Sequence, residues 1–273
     1  MAKQSSEKAP PVSARQKSFL RAHHRHHHNI TLGRFFLLLF FLGFWETASR
    51  LAWIDSFFFS SPSGILQYLC QMLADGSFFT HTGITLFETI ASFVLVTVLS
   101  LAAAMLLWYQ NSLSEILEPY LVVLNALPKS ALAPLLIVWL GTGSNTIIVA
   151  GISVALFGSI ISLYTGFCQV DPEMCKLIYT LGGSRKDALA KVILPSSVPL
   201  ILSSMKVNIG LSLVGVIIGE FLAARRGLGY LIIYGSQVFQ LNMVITSIII
   251  LCAIAMVFYK LIQSAEHLYR KKY

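Results

Sequence analysis

Of the 273 residues, 56% are hydrophobic and 12% charged, whereas soluble domains carry roughly 25% charged residues. A soluble core of this length cannot hide so much apolar surface, but a bilayer can. The net charge is +8, with seven of the twenty Lys and Arg before residue 35 and Arg270, Lys271 and Lys272 closing the chain. Basic ends around an apolar middle point to membrane orientation, and no basic stripe with interleaved aromatics points to nucleic acid.

The first 29 residues are polar and basic and end in His23, His24, Arg25, His26, His27 and His28. They read as an unstructured tail; the histidines are either a biased tract or an adventitious metal binder. No small-residue cleavage site follows the first apolar run, so an uncleaved first helix is expected over about 30–54. Glu46 and Arg50 sit four apart near its end and can pair. From Asp55 to Thr82 the chain has neither Lys nor Arg. Within it Ser63 can cap a short helix whose stripe is Ile65, Leu66, Leu69, Met72 and Leu73, with Gly76 ending it on the membrane surface. A second span is expected over about 83–108, with Glu88 near its start. A third, about 119–140, carries Pro128, Lys129 and Pro134, so it should be broken or kinked and face protein or water there. The fourth runs over about 146–167, the fifth over about 196–222 and the sixth over about 244–262. The four cysteines, Cys70, Cys168, Cys175 and Cys252, form no CxxC pair and indicate no metal site.

Between the fourth and fifth spans the pattern changes. Asp171-Pro172 is a helix start, an acidic cap followed by proline at the first helical position. Met174, Leu177, Ile178 and Leu181 then make one apolar stripe. Gly182 and Gly183 allow a left-handed stop. Ser184 and Asp187 have capping-box spacing and start a second helix, with Leu189, Val192 and Ile193 as its apolar face. Pro195 suits entry into the fifth span. The result is a helix–glycine–helix elbow, whose stripe either rests on the chain's own spans or plugs a groove in another protein. With six spans, the amino-terminal tail, the basic elbow and the carboxyl end fall on one side, the cytoplasmic one. Arg225 and Arg226 alone dissent.

The segment DPEMCKLIYTLGGSRKDALAKVILP resembles the "EAA" loop of binding-protein-dependent ABC importer permeases. That pattern is Glu-Ala-Ala followed by a glycine, an aliphatic residue and a closing Leu-Pro. Gly182, Val192 and Leu194-Pro195 match, whereas Lys176, Leu177 and Ile178 stand at the Glu-Ala-Ala positions. Trp45-Glu46, Ser61-Pro62-Ser63, the Leu127–Pro134 stretch and Gly227-Leu-Gly-Tyr-Leu231 resemble the nitrate/sulfonate/taurine branch. Glu88 departs from it, standing where a basic residue is frequent. The resemblance implies an all-α permease with a cytoplasmic coupling elbow. ATPase coupling would fall on Lys176, Leu177, Ile178, Leu181, Gly182, Leu194 and Pro195. The implied partners are ABC ATPase subunits, an extracytoplasmic solute-binding protein and a second permease copy, identical or related, within the lipid bilayer of the inner or plasma membrane.

No phosphate-cradling G-x-x-x-x-G-K-[ST] stretch occurs, so ATP and Mg would be bound by the partner, and no catalytic residue or cofactor is expected in this chain. Lys129 and Lys206 fall within spans, and Glu220 near the outer end of the fifth. Lys129 and Lys206 each either line a solute pathway or are satisfied by neighbouring helices, and Glu220 is either a gate or a rim charge. The organisation expected is a tail over 1–29, a first span and surface helix over 30–82, a permease core over 83–268 containing the elbow 171–195, and a basic end over 269–273. A secondary transporter or channel independent of an ATPase is the alternative, and a scaffold without transport a further one.

Overall fold

A computed structural model describes residues 14–55 and 59–272 of the chain. Residues 1–13 of the expected tail, and Tyr273 of the basic end, lie outside the described residues. The chain divides into two compact units after Ser63.

In the first unit α1 spans Ala14–Arg50. The tail expected to be unstructured therefore becomes helical from Ala14. No proline and no glycine interrupts 14–32, and Arg, Gln, Lys and Leu favour helix. Arg50 Nε donates to Glu46 Oε1 at 2.6 Å, as the spacing predicts, and Ser63 N donates to Glu46 Oε2 at 3.1 Å. The short helix α2 begins at Pro62 (Pro62–Ala74), so Ser63 lies inside it rather than capping it; proline favours the first helical position.

The second unit is a helical bundle. Its elements are α3 (Ser77–Tyr109), α4 (Asn111–Ala126), α5 (Lys129–Leu140), α6 (Ser144–Cys168), α7 (Pro172–Thr180), α8 (Arg185–Ala188), α9 (Leu194–Ala223), α10 (Leu228–Gln237) and α11 (Leu241–Lys272). Among the described residues, five helices, including α1, are long and apolar enough to cross a membrane, and six do so if the bent pair α4–α5 counts as one span.

Several boundaries move from their expected places. Helix α3 starts at Ser77, because Gly76 turns the chain at φ 75° and Asp75 Oδ1 accepts from Ser77 N at 2.8 Å. The third span begins at Asn111 and bends by 95° at Leu127–Pro128. Proline drives the residue before it out of helix, and Leu127 sits at φ −60°, ψ 137°. Between the fifth and sixth spans lies α10, a helix the hydropathy pattern does not mark.

Three helices form the centre: α6 packs between α3 and α9. Small residues permit this approach. A Cβ on Gly215 of α9 would lie 2.7 Å from Gly151 Cα of α6, a closeness typical of membrane helix pairs. Polar bonds cross the same seam. Asn208 Nδ2 donates to Ser159 Oγ at 2.8 Å, and Ser159 Oγ donates to Ser100 Oγ at 2.9 Å. Met72 of α2 joins Leu213, Leu228, Leu231 and Met243 in a core cluster at the end of the bundle away from the elbow.

Candidate functional site

The elbow is built from local chemistry. Asp171 accepts from Glu173 N at 2.9 Å and starts α7. At the other end, Gly182 lies at φ 80°, where a side chain is strained. Gly182 N donates to Tyr179 O at 3.0 Å and Gly183 N to Ile178 O at 2.9 Å, closing the turn. The Ser184–Asp187 capping box is complete: Asp187 N donates to Ser184 Oγ at 3.3 Å and Ser184 N to Asp187 Oδ2 at 2.9 Å.

The stripe read from the sequence divides in two. Met174, Leu177 and Leu181 are 53%, 59% and 76% exposed. Ile178 is half-buried beneath Gly183. Cys175 packs with Phe167, Leu189 and Ile193 on the bundle side, and burial, aided by the Asp171 carboxylate, pushes its thiol pKa up. One face of α7 thus holds the elbow to its own bundle, and the other presents unpartnered leucines. Lys176 pairs with Glu173 at 2.7 Å on the surface.

Leu194 packs in the Cys175 cluster, and Pro195 is exposed in the first turn of α9. Pro195 does not separate two helices. The chain runs helically from Arg185 to Ala223 through a π-helical turn at Leu189–Ile193. Proline cannot donate to the carbonyl four residues back and crowds it, and a wider turn at that position relieves both problems.

Arg185 carried no marked role in the sequence. Its Nη2 donates to Trp108 O at 2.7 Å and to Asn111 Oδ1 at 2.6 Å. Its guanidinium lies 5.3 Å from the Trp108 ring centroid and 6.0 Å from that of Tyr109. These partners are more than seventy residues away in sequence, at separations of 77 and 74, so no local pattern could reveal them.

Lys129, Lys206 and Glu220 are each met by the fold. Lys129 Nζ donates to Leu124 O across the α4–α5 bend and lies 5.1 Å above the Phe157 ring. Lys206 pairs with Glu266 of α11. A cavity of about 720 Å³ flanks that pair and is lined also by Lys260, Gln263, Ser264 and His267. Glu220 is fully buried. It accepts from Thr85 Oγ1 at 2.7 Å and from Gly229 N at 2.5 Å. Thr85 Oγ1 in turn accepts from Leu228 N at 2.9 Å, and His81 Nδ1 accepts from Gly227 N at 3.0 Å.

This explains the Gly-Leu-Gly stretch. A Cβ on Gly227 would fall 2.5 Å from the Glu220 carboxyl, and one on Gly229 would fall 2.8 Å from Oε2. Glu88, also fully buried, lies beside Glu220 and Ser144, and neither of its carboxyl oxygens has a hydrogen bond of normal geometry. The sequence marked both glutamates but not their meeting. Arg225 and Arg226 are exposed in the turn between α9 and α10, opposite the elbow.

A polytopic helical bundle with a projecting, capped elbow between two of its spans is the architecture of a transporter's membrane subunit. The chain belongs to the family "Binding-protein-dependent transport system inner membrane component", whose model matches residues 96–267. It is 28% identical over 218 residues to a "Probable ABC transporter permease protein" of Haemophilus influenzae, covering 79% of this chain and 87% of that protein. It is 25% identical over 213 residues to the "Putative aliphatic sulfonates transport permease protein SsuC" of Bacillus subtilis, covering 78% and 77% of the two chains. Its fold resembles a chain of the inward-facing MetNI methionine ABC transporter with a TM-score of 0.61 at 15% identity, covering 73% of this chain and 97% of that one.

Proposed function

We propose that this chain is the membrane-spanning subunit of an ATP-driven importer that accepts a small solute from an extracytoplasmic binding protein. The observation that carries this reading is the elbow. A capped, glycine-turned helix is anchored to its own bundle on one face and leaves Leu177 and Leu181 exposed on the other. Such a face fits a groove on a partner, and the partner is an ABC ATPase subunit that binds ATP and Mg. Two permease copies, identical or related, enclose the pathway. Lys129, Lys206 and Glu220 are its candidate lining or gating charges. The membrane is the inner or plasma membrane, with both termini and the elbow cytoplasmic. Basic residues on the tail, the elbow and the carboxyl end support that orientation. The solute is a small organic or inorganic anion of the nitrate, sulfonate or taurine kind, or a vitamin precursor.

Mechanically, nucleotide-driven closure of the ATPase pair displaces the elbows, and α9, helically continuous with the elbow's return arm, carries that displacement across the bundle. The test is co-purification from the membrane followed by reconstitution. An ATPase should be retained with the wild-type chain, and solute uptake should require ATP. Truncating a buried interface anchor typically costs more than about 1 kcal/mol of binding, so Leu177→Ala and Leu181→Ala should each release ATPase while the permease stays folded. Uptake driven fully by an ion gradient without ATP would sink the proposal.

A further inference from the structure

Helix α4 is weakly embedded. Of its 16 residues only Ser114 is buried. Yet both of its ends are held by a cation from outside the helix. At its carboxyl end Lys129 donates to the carbonyl of Leu124 and fixes the corner between α4 and α5. At its amino end Arg185, the first residue of the elbow's return arm, spans the joint between α3 and α4. That joint is a single extended residue, Gln110, at φ −123° and ψ 96°. The guanidinium bonds to both sides of it, to the Trp108 carbonyl in the last turn of α3 and to the Asn111 side chain that opens α4. A cation is favoured there for a further reason: the last carbonyls of a helix are unsatisfied and form the negative end of its dipole. Both bonds come from one nitrogen, so it is the planar stacking on Trp108 and Tyr109 that a lysine does not reproduce.

We propose that Arg185 is the positioning residue that attaches α4 to the elbow, so that α4 acts as a connecting rod from the elbow to the broken span. On the importer reading, on which this rests, the ATPase moves the elbow. The return arm carries Arg185 with it, and the guanidinium draws the α3–α4 joint along. Because α4 buries one residue within its own chain, little packing from that chain resists its movement, and the displacement arrives at the Leu127–Pro128 corner. Without Arg185 the elbow would reach the broken span through α6 and through the packing of α9 on α5.

The experiment uses the full chain co-purified with its ATPase, with Cys70, Cys168 and Cys252 replaced by serine. A reporter, Ala126→Cys, is placed at the exposed end of α4, and the native Cys175 reports the elbow. Maleimide labelling rates are compared with and without ATP plus vanadate. In the Arg185 background both cysteines should change rate with nucleotide. In Arg185→Ala the ATPase should still co-purify and Cys175 should still respond. The nucleotide-dependent change at residue 126 should fall about tenfold or more, the scale of losing hydrogen bonds to a charged group. Arg185→Lys should recover only part of it. Asn111→Leu, which keeps the Trp108 bond, should give an intermediate loss and serves as the test if Arg185→Ala is not recovered from the membrane.

A full nucleotide response at residue 126 in these variants would overturn the connecting rod while leaving the importer reading intact. Loss of the ATPase from Arg185→Ala to the extent seen for Leu177→Ala would also overturn it, since Arg185 would then only shape the docking face. Failure of the wild-type chain to retain any ATPase would overturn both readings.

Discussion

A side chain added at Gly182 tests the elbow's turn by torsion alone. A Cβ there meets nothing within 4 Å, so no collision contributes, but φ is 80°. An L-residue in the left-handed region costs roughly 1–2 kcal/mol. Asn bears that conformation best and a β-branched residue worst. The turn it would disturb is held by Leu181 N to Leu177 O at 3.1 Å, Gly182 N to Tyr179 O at 3.0 Å and Gly183 N to Ile178 O at 2.9 Å. Helix α7, with nine residues, is too short to persist without that turn and its packing. A loss of one to two kcal/mol lowers the population of a marginal conformation by a factor of about 5–30. The expected order of ATP-driven uptake is Gly182 above Asn, then Ala, with Val lowest. The melting temperature of the bundle should be nearly unchanged, because Gly182 is exposed and outside the core. The assay is uptake in proteoliposomes alongside retained ATPase and intrinsic fluorescence melting. If Gly182→Val transports as well as Gly182→Asn, the left-handed turn has no part in coupling.

Glu220→Ala should leave the Gly229 N–H without its acceptor, while the Thr85 hydroxyl keeps the His81 carbonyl at 3.2 Å; at about 1–3 kcal/mol for the orphaned group, unfolding in detergent should shift by about that amount, and an unchanged denaturation midpoint would refute the hub at the end of the bundle opposite the elbow. A double-mutant cycle between Asn208→Ala and Ser159→Ala should return a coupling energy near 0.6 kcal/mol and at most about 1.7, the range for hydrogen bonds between membrane helices; a coupling of zero would mean the α6–α9 bond contributes nothing.

Most of what rests on a few neighbouring residues was legible in the sequence, the Ser63 cap excepted. The Asp171 cap, the Ser184–Asp187 box and the Gly182 turn are all local, and each forms as its spacing predicts. The break at Pro128 was equally readable, since proline acts on its immediate neighbours. Boundaries were harder. The polar residues Ser77, Thr80, His81 and Thr82 gave no reason to expect helix, yet they open α3. Their use emerges only in three dimensions, where His81 receives the Gly227 amide. The partners of the charged residues were not legible either. Lys206 meets Glu266 across 60 positions, Thr85 meets Glu220 across 135, and Arg185 meets Trp108 across 77. Sequence spacing marks such residues as needing partners but carries no information on which helix faces which. The split of the elbow stripe is of the same kind. Periodicity put Leu177 and Ile178 on one face, and packing against Gly183 turned only Ile178 inward.

The helical run from Arg185 to Ala223 covers 39 residues. At 1.5 Å per residue, Arg185 and Glu220 are separated by about 52 Å along its axis. A rod that long is a lever with unequal demands at its two ends. Tilting it by about 5° around the elbow sweeps the Glu220 end through roughly 4–5 Å, more than a hydrogen bond can stretch. The bonds from Thr85 and Gly229 to Glu220 therefore stand where any tilt of the rod would be largest, and such a tilt would have to break them or carry α3 and α10 along.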